Sequence, residues 1–333
     1  MRVFVTGGSG LVGRHTILQL VARGDTVTAL TRSPAAAATV ASLGAAPVHG
    51  DVADSAALAR GARDADAVVH TAAILLVKHG WAGFEAQNVR PVETLARAAA
   101  AVGARFVHLS SVAAYGRRTT YDGGRGSVTE DFGLGRPIFP GDHYARSKRE
   151  AELVLWRVAD EAGLSAVALR PCVIYGEGDR NFSPRVARVI ALGVAPVIGD
   201  GTNVLSVVYA GNVAAAVLAA LDRPSVCGAF NVANDGELTQ RQFLERFADG
   251  LGRRVRIVRV PRSLAWGAAR GIDGLLRALR PGAAMTTLKT AVQFLGNENP
   301  YVSGKAATEL GWRPVVAAAE AAERTARWFA DHT

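Results

Sequence analysis

A glycine-rich turn at residues 7 to 13 restricts the folds open to this sequence. The apolar run at residues 1 to 6 reads as a strand and leads directly into Gly7-Gly8-Ser9-Gly10-Leu11-Val12-Gly13. Glycines at this spacing permit a tight turn, a close backbone approach to a phosphate, and close packing of the following helix. The amino end of that helix favours negative charge. A strand, this turn and a helix in succession predict a dinucleotide site rather than a plain glycine turn.

Apolar strand patterns alternate with helical patterns through roughly the first 170 residues, which is typical of a parallel sheet covered by helices on both faces. We expect strands at Arg2–Val5, Thr26–Thr31, Ala46–His49, Ala67–His70, Arg105–Ser110 and Ala166–Leu169, then late strands at Leu205–Val208 and Phe230–Val232. The fold class is therefore α/β, a Rossmann-type doubly wound sheet with a smaller, mostly helical C-terminal substrate region. We assign residues 1–170 and the returning segment 203–232 to the dinucleotide domain, and 171–202 and 233–333 to the substrate region.

Composition is that of a globular enzyme. Apolar residues make up 49% and charged residues 20% of the 333, unlike a disordered chain. Cys172 and Cys227 are too few for a disulfide framework and lack metal-ligand spacing, so we expect reduced thiols and no metal site. The sequence contains no signal-peptide pattern and no apolar run of about 20 residues. These features predict a cytoplasmic protein without an integral membrane segment.

The formal net charge of +9 raises the question of nucleic-acid binding. Arginine is scattered along the chain and only four lysines occur, which indicates compositional bias rather than a phosphate-binding patch. We therefore expect no nucleic-acid partner. A general positive field would still attract an anionic dinucleotide or an anionic membrane surface.

The end of the second strand bears on cofactor choice. About 20 residues after the glycine turn, NAD-binding proteins usually carry an acid for the ribose 2′-hydroxyl, but this chain has Thr31-Arg32-Ser33. A guanidinium can grip a 2′-phosphate, so NADP(H) is preferred over NAD(H). A solvated arginine is the competing interpretation.

Two further strand ends carry weaker signals. Asp51 and Val52 follow the third strand, where a turn or capping role for Asp51 competes with a contact to the adenine side. Thr71-Ala72-Ala73 follows the fourth strand, where small side chains would let a cofactor approach.

Tyr144 and Lys148 form a second pattern. The segment Tyr-Ala-Arg-Ser-Lys places a phenol and an ammonium one helical turn apart on the same face. A neighbouring cation lowers the pKa of a tyrosine from its usual value of about 10 and lets it exchange a proton near neutral pH. Alone, such a pair is common by chance, and its position after the glycine turn makes it specific.

Together these motifs resemble the extended short-chain dehydrogenases, and the resemblance covers nearly the whole chain. The glycine spacing, the Ser110-Ser111-Val-Ala-Ala-Tyr115-Gly116 run, the Asn88 helix start and Leu169-Arg-Pro171-Cys-Val173-Ile-Tyr-Gly176 are similar to family patterns. Pro91 departs from the family's small-residue pattern after Asn88, which leaves a purely structural role open for Asn88. The C-terminal Lys305-to-Pro314 segment also resembles the family's ending. A homodimer is common among such relatives.

The resemblance implies hydride transfer between a nicotinamide and a carbon bearing a hydroxyl or carbonyl. Tyr144 would exchange the proton, Ser111 would hydrogen-bond the substrate oxygen, and Lys148 would tune Tyr144 and hold the nicotinamide ribose. The candidate catalytic residues are thus Ser111, Tyr144 and Lys148. The candidate cofactor contacts are Gly7, Gly10, Leu11, Val12, Gly13, Arg32, Asp51, Val52, Thr71, Ala72, Ala73, Ser110, Tyr144, Lys148, Pro171 and Val173.

The substrate is inferred from the segment Leu205-to-Val213. Sugar-nucleotide members of the family usually carry an arginine where this chain has Leu205, and the Val-Tyr-Ala-Gly-Asn-Val run resembles 3β-hydroxysteroid dehydrogenase relatives. We therefore expect a bulky hydrophobic alcohol or ketone, with flavonoid or β-keto-acid reduction close alternatives. A nucleotide-sugar epimerase or dehydratase is the second enzyme hypothesis. A non-catalytic NADP-binding regulator is the third, and the Tyr-Lys pair argues against it.

Two further segments bear on the substrate pocket. From Leu264 to Leu279, apolar residues fall on one helical face, which we expect to pack on the domain. Covering the substrate pocket or touching a membrane surface are the alternatives. The glycine-rich stretch Arg117–Gly141 is expected to be a mobile loop at the pocket mouth.

Overall fold

Seven parallel strands form one sheet at the centre of the structure. The computed structural model describes residues 1–75, 80–116, 127–135, 138, 141–233, 235–279 and 288–332, without the side chains of 276–279. The strands are β1 (Arg2–Thr6), β2 (Thr26–Thr31), β3 (Ala46–His49), β4 (Ala67–His70), β5 (Arg105–Leu109), β6 (Ala166–Pro171), β7 (Val173–Tyr175), β8 (Val194–Ile198), β9 (Val207–Tyr209), β10 (Gly228–Val232) and β11 (Arg256–Val260). The large sheet has the order β10-β6-β5-β4-β1-β2-β3, and β8 with β11 and β7 with β9 form two small parallel sheets.

Helices cover both faces of the large sheet and build the C-terminal part. They are α1 (Leu11–Ala22), α2 (Pro34–Ser42), α3 (Ser55–Ala62), α4 (Gly80–Phe84), α5 (Arg90–Ala101), α6 (His143–Ala162), α7 (Ser183–Ala191), α8 (Ala210–Leu221), α9 (Gln240–Gly250), α10 (Arg262–Leu279), α11 (Leu288–Gly296) and α12 (Ala318–His332). Short 3₁₀ turns occur at Val112–Tyr115 and Glu130–Phe132, and π-helical turns at Glu85–Val89 and Ala306–Leu310.

The predicted doubly wound parallel sheet is confirmed. Every pairing in the large sheet is parallel, and three of the expected strands have the predicted bounds. The strand expected at Leu205–Val208 differs, because it forms at Val207–Tyr209 and pairs with β7. The chain leaves the large sheet after Pro171, so β7 pairs with β9 beside that sheet and not within it.

Apolar alternation along the strands divides the core into layers. On one face, Val3 and Val5 pack with residues of α1 and α8 such as Ile17 and Val217. On the other face, side chains of α3, α5 and α6 cover a second cluster that includes Phe4, Val68 and Phe106. A third cluster around Phe243 and Phe247 joins α7, α9 and α12. The carboxyl edge of the sheet is held by both layers, which makes it a rigid base for a site.

The apolar face of α10 does not pack on the domain as expected from the sequence. Leu264 is 65% exposed, Leu275 60% and Ile272 46%, whereas Ala265 and Ala269 face the interior. The prediction that this apolar face packs on the domain was therefore wrong for these three side chains. The helix is anchored instead by small residues and by Asp273, which accepts hydrogen bonds from the backbone N–H groups of Leu288 and Lys289.

Much of the expected mobile loop Arg117–Gly141 lies outside the described residues. Its described part at 127–135 is tied to the end of β10, where Asn231 Nδ2 donates to the Val128 carbonyl (3.0 Å) and Glu130 accepts from Asn231 N–H (2.6 Å). Across the described ranges, no helix is long and apolar enough to cross a bilayer.

Candidate active site

Two adjoining cavities lie at the carboxyl edge of the large sheet, where the strand order reverses between β1 and β4. Ligands of open α/β sheets bind at such a reversal. A nucleotide cavity of about 580 Å³ lies over β2 and β3, and a reaction cavity of about 530 Å³ lies over β5 and β6. The glycine turn lines both, so a ligand that fills both cavities must cross it.

Close backbone packing explains two glycines of the turn. Gly7 has φ +75°, and a Cβ there would lie 2.6 Å from the backbone N of Ala72. A Cβ at Gly13 would lie 2.1 Å from the Gly7 carbonyl oxygen. Gly10 begins α1 without a side-chain cap, so the first N–H groups of the helix lack a side-chain acceptor and can bind an anion. The turn fits the pyrophosphate of a dinucleotide.

The nucleotide cavity contains the residues expected at the ends of β2, β3 and β4. Arg32 is exposed on its wall and forms no ion pair within the described ranges. Ser33 caps α2 by accepting from Ala36 N–H (3.2 Å). Asp51 lines the cavity and also accepts from Ala53 N–H (2.9 Å), so it has a turn role as well.

Ser111, Tyr144 and Lys148 all line the reaction cavity. Asp142 caps α6 through Ala145 N–H (3.2 Å), which places Tyr144 in the first turn and Lys148 in the second. Ser111 begins the 3₁₀ turn after β5, accepting from Ala113 N–H (3.1 Å). A hydroxyl, a phenol and an ammonium on one wall can bind an oxygen and exchange its proton.

Lys148 is 3% exposed, and its Nζ donates to the Leu109 carbonyl (2.7 Å). Burial lowers the pKa of Lys148 to about 8, against the opposing effect of the Glu152 carboxylate. The ammonium is therefore charged near neutral pH but readily loses its proton above pH 8.

Behind Lys148 lies a buried polar network. Ser110 Oγ donates to Glu152, which also accepts from Arg170. Arg170 Nη1 donates to Tyr115 OH (2.8 Å), and Tyr115 OH donates to Asn231 Oδ1 (2.9 Å). Ser110 thus contributes to the support of the site as well as to the cavity wall.

Two buried histidines lie in the same layer. His70 and His108 stack with ring centroids 5.5 Å apart. Thr6 Oγ1 and His70 Nδ1 share a 2.6 Å hydrogen bond, whereas His70 Nε2 and both nitrogens of His108 have no partner among the described residues. Burial, reinforced by the Lys148 charge, lowers the pKa of His70 to about 3 and that of His108 well below its usual value. Both rings are therefore neutral.

Asn88 has a structural role. Its Oδ1 accepts from Ile74 N–H (2.9 Å), and its Nδ2 donates to the Ile74 carbonyl (3.1 Å) and Ser147 Oγ (2.9 Å). These contacts join the segment after β4 to α6 and hold both walls of the reaction cavity in register.

The wall of the reaction cavity is mostly apolar, and sequence reasoning missed most of these apolar residues. Its apolar lining includes Leu75, Val112, Val173, Ile174, Phe182 and Phe294. Phe294 comes from α11, far away in sequence, and carries no motif. Arg180 and Asn181 also line this cavity, and the glycines at 176 and 178 were the available signal for their loop.

Leu205 does not face the cavity. It is 3% exposed in the core, whereas the next residue, Ser206, lines the wall. Leu205 and Ser206 differ in this way because successive side chains of an extended segment point in opposite directions. Because Leu205 is buried, a leucine at this position takes no ligand-binding side chain away from the cavity.

Every candidate catalytic or cofactor-contacting residue lines one of the two cavities. The set that the structure brings together is Gly7, Gly10, Leu11, Val12, Gly13, Arg32, Asp51, Val52, Thr71, Ala72, Ala73, Ser110, Ser111, Tyr144, Lys148, Pro171 and Val173. Their contacts with a cofactor stay predictions.

Comparison with known proteins supports the resemblance to extended short-chain dehydrogenases. The model of the NAD dependent epimerase/dehydratase family matches residues 3–233. A 4-hydroxy-2-methyl-3-oxo-4-farnesyl-3,4-dihydroquinoline-1-oxide ketoreductase of Stigmatella aurantiaca is 33% identical, over 94% of this chain and 92% of its own length. A 3-beta-hydroxysteroid dehydrogenase of Mycolicibacterium neoaurum is 26% identical, over 99% of this chain and 92% of its own length.

A solved structure of MoeE5 in complex with UDP-glucuronic acid and NAD is similar in fold, with a TM-score of 0.73. The match covers 100% of both chains at 22% identity. The chain therefore belongs to the NAD dependent epimerase/dehydratase family, in agreement with its resemblance to extended short-chain dehydrogenases.

Proposed function

We propose that this protein is an NADP(H)-preferring oxidoreductase that interconverts a secondary alcohol and a ketone on a bulky hydrophobic molecule. The observation that carries the proposal is the composition of the reaction cavity. Ser111, Tyr144 and Lys148 lie beside a wall of aliphatic and aromatic side chains that includes Phe182 and Phe294. Such a wall buries apolar surface of a substrate, while the three polar groups orient its oxygen.

Each polar residue has a role in this reaction. When bound, the cofactor supplies or accepts the hydride. Tyr144 gives its phenolic proton to the ketone oxygen during reduction and takes it back during oxidation. Ser111 Oγ donates a hydrogen bond to the same oxygen. The Lys148 ammonium stabilises the phenolate form of Tyr144 and binds the ribose hydroxyls.

The preference for NADP(H) rests on Arg32. Its guanidinium lines the nucleotide cavity with Ser33, in a position where NAD-specific proteins of this fold carry an acid. Asp51 occupies another part of the same wall. A 2′-phosphate beside Arg32 would gain charge-assisted hydrogen bonds.

The named relatives support the substrate class. The Stigmatella protein reduces a ketone on a farnesylated quinoline according to its name, and the Mycolicibacterium protein is named for a steroid. We infer that residues 171–202 and 233–333 supply the substrate side, because Phe182 and Phe294 belong to these segments. A nucleotide-sugar reaction is the alternative, and it requires cations for a second diphosphate.

The test is NADPH and NADH oxidation with a panel of hydrophobic ketones, compared between the wild-type protein and Tyr144→Phe. We expect turnover with NADPH and a loss of at least about 100-fold in kcat for the variant, because proton transfer by a positioned group contributes that much. Equilibrium binding of NADPH to Tyr144→Phe serves as the control that the fold and cofactor site persist.

A UDP-sugar binding measurement separates the two enzyme hypotheses. Tight UDP-sugar binding with no ketone turnover would replace the proposal by the epimerase or dehydratase alternative. NADPH binding without either activity would favour the non-catalytic regulator.

A further inference from the structure

Two arginines lie where the nucleotide and reaction cavities join, and no motif predicted either. The residues that line both cavities are Gly7, Ser9, Gly10, Arg14, Thr71, Ala73 and Arg180. Apart from Arg14 and Arg180, this shared wall consists of the glycine turn and the end of β4. The pyrophosphate of a dinucleotide that spans both cavities must pass this junction.

Arg14 reaches from α1 across to the loop that follows β7. A Cβ built on Gly178 would lie 2.9 Å from Arg14 Nη1, and Gly178 has φ +83°. The guanidinium therefore packs against the backbone of the segment Gly176–Ser183. Arg180 lies on that same segment and is exposed. One cation comes from each side of the junction.

Both guanidiniums lack a bonded counter-ion among the described residues. Neither forms an ion pair or a side-chain hydrogen bond in the parts of the chain that the structure describes. The carboxylate of the adjacent Asp179 accepts from the backbone N–H groups of Asn181, Phe182 and Ser183 at 2.6 to 3.1 Å instead of pairing with either guanidinium. Glu177 binds Tyr209 OH at 2.7 Å and forms an ion pair with Arg324.

We propose that Arg14 and Arg180 bind the cofactor pyrophosphate from opposite sides and thereby hold the Gly176–Ser183 segment over it. This assignment rests on the proposed dinucleotide function. Two guanidiniums supply charge-assisted hydrogen bonds to the diphosphate oxygens, in addition to the N–H groups at the start of α1.

The segment also connects the cofactor to the substrate wall. Phe182 lines the reaction cavity and contacts Phe294, with ring centroids 6.0 Å apart and near-perpendicular planes. When Arg180 binds the pyrophosphate, Phe182 is fixed two residues away. Cofactor binding then orders part of the apolar wall that receives the substrate.

The experiment measures Kd for two half-ligands and for NADPH by calorimetry at fixed ionic strength. ADP carries the pyrophosphate without the 2′-phosphate, and adenosine 2′-monophosphate carries the reverse. We expect Arg180→Gln and Arg14→Gln each to weaken ADP and NADPH binding about tenfold, because each loses a charged hydrogen bond. Binding of adenosine 2′-monophosphate should not change. Arg180→Lys should recover part of the loss, since it keeps the charge.

Arg185→Gln is the matched control, since Arg185 is an exposed arginine at the start of α7 that lines neither cavity. Hydrogen exchange of the 176–183 segment gives a second readout. ADP should slow this exchange in the wild type and in Arg185→Gln, but not in Arg180→Gln.

Equal ADP affinity of Arg180→Gln and Arg185→Gln would overturn the proposal. A rise in KM for a carboxylated ketone with unchanged ADP affinity would also overturn it and assign Arg180 to the substrate. Failure of every ketone to react, with ADP binding still dependent on both arginines, would count against the proposed substrate and leave the pyrophosphate assignment supported.

Discussion

Arg170 and Glu152 form a bidentate ion pair buried directly behind Lys148. Arg170 Nε lies 3.0 Å and 3.1 Å from the two Glu152 oxygens, and Nη2 lies 2.6 Å from Oε2. The side chains are 5% and 0% exposed. The pair joins α6 to β6, so it fixes the helical turn that carries Lys148 against the strand whose end lines the reaction cavity.

Removing one member of this pair should be costly. In Glu152→Gln the Arg170 charge stays buried without a counter-ion, and one of the two carboxylate oxygens that accept from Arg170 becomes an amide NH₂ group. Breaking a buried pair in this way typically costs about 3 to 5 kcal/mol in the free energy of unfolding. Urea unfolding followed by circular dichroism measures it, with Glu150→Gln on the same helix as the control. A loss below about 1 kcal/mol would show that water or a rearranged neighbour compensates Arg170.

The large sheet could be predicted from sequence because its strands are short apolar runs bounded by glycine, proline and helix caps. Ser33 illustrates this, since a capping serine before a proline marks a helix start that the structure confirms. The position of β9 could not be predicted, because an apolar run does not state which sheet it joins. The prediction that the apolar face of α10 packs on the domain was wrong for the same reason. A helical pattern shows which residues share a face but not what that face contacts.

The residues of the site also fall into those that the sequence predicted and those that it did not. The glycine turn and the Tyr144 to Lys148 spacing are local patterns, so sequence reasoning found them. Phe294 reaches the cavity only through the packing of α11, and Arg180 through a loop with no familiar pattern. Leu205 shows the limit of a resemblance. It stands where sugar-nucleotide members carry an arginine, but here its side chain is buried and the next residue, Ser206, lines the cavity instead.

Arg32 should control cofactor choice. Arg32→Gln removes the cation proposed to bind the 2′-phosphate, so we expect Kd for NADPH to rise about tenfold while Kd for NADH stays constant. The change in cofactor fluorescence on binding measures both. Arg63→Gln, an exposed arginine that lines neither cavity, should alter neither value. A parallel loss of NADH affinity would assign Arg32 a different contact.

Phe294 should contribute to the binding of bulky substrates. Phe294→Ala removes a ring from the apolar wall and frees Phe182 from its edge contact. We expect KM for a large hydrophobic ketone to rise roughly tenfold, since a lost apolar contact costs about 1 to 3 kcal/mol. A small aliphatic ketone should react as before. Leu288→Ala on the same helix is the control, because Leu288 is exposed and lines neither cavity. Equal effects on both ketones would place the substrate elsewhere.

His70 and His108 should make the fold sensitive to acid. Both rings are about 1% exposed, and burial keeps the folded pKa of His70 near 3 and lowers that of His108 well below 6.5. The unfolded chain, whose histidines have a pKa of about 6.5, therefore binds protons that the folded chain does not. The histidines impose no penalty above pH 7, and stability falls as the pH drops below about 6.5.

Proton linkage gives the size of this pH dependence of the free energy of unfolding, and a histidine substitution separates the contributions of the two rings. Between pH 7 and pH 5 His70 should lower the free energy of unfolding by about 2 kcal/mol, and the lowered pKa of His108 acts in the same direction. His108→Leu removes one such group together with two ring nitrogens that have no partner among the described residues, so its unfolding free energy should fall less than that of the wild type over the same pH range. Urea unfolding at both pH values measures this, and His49→Leu, at an exposed histidine, should follow the wild type. Identical pH dependence of His108→Leu and the wild type would mean that His108 is protonated in the folded protein, which the Lys148 charge and its burial oppose.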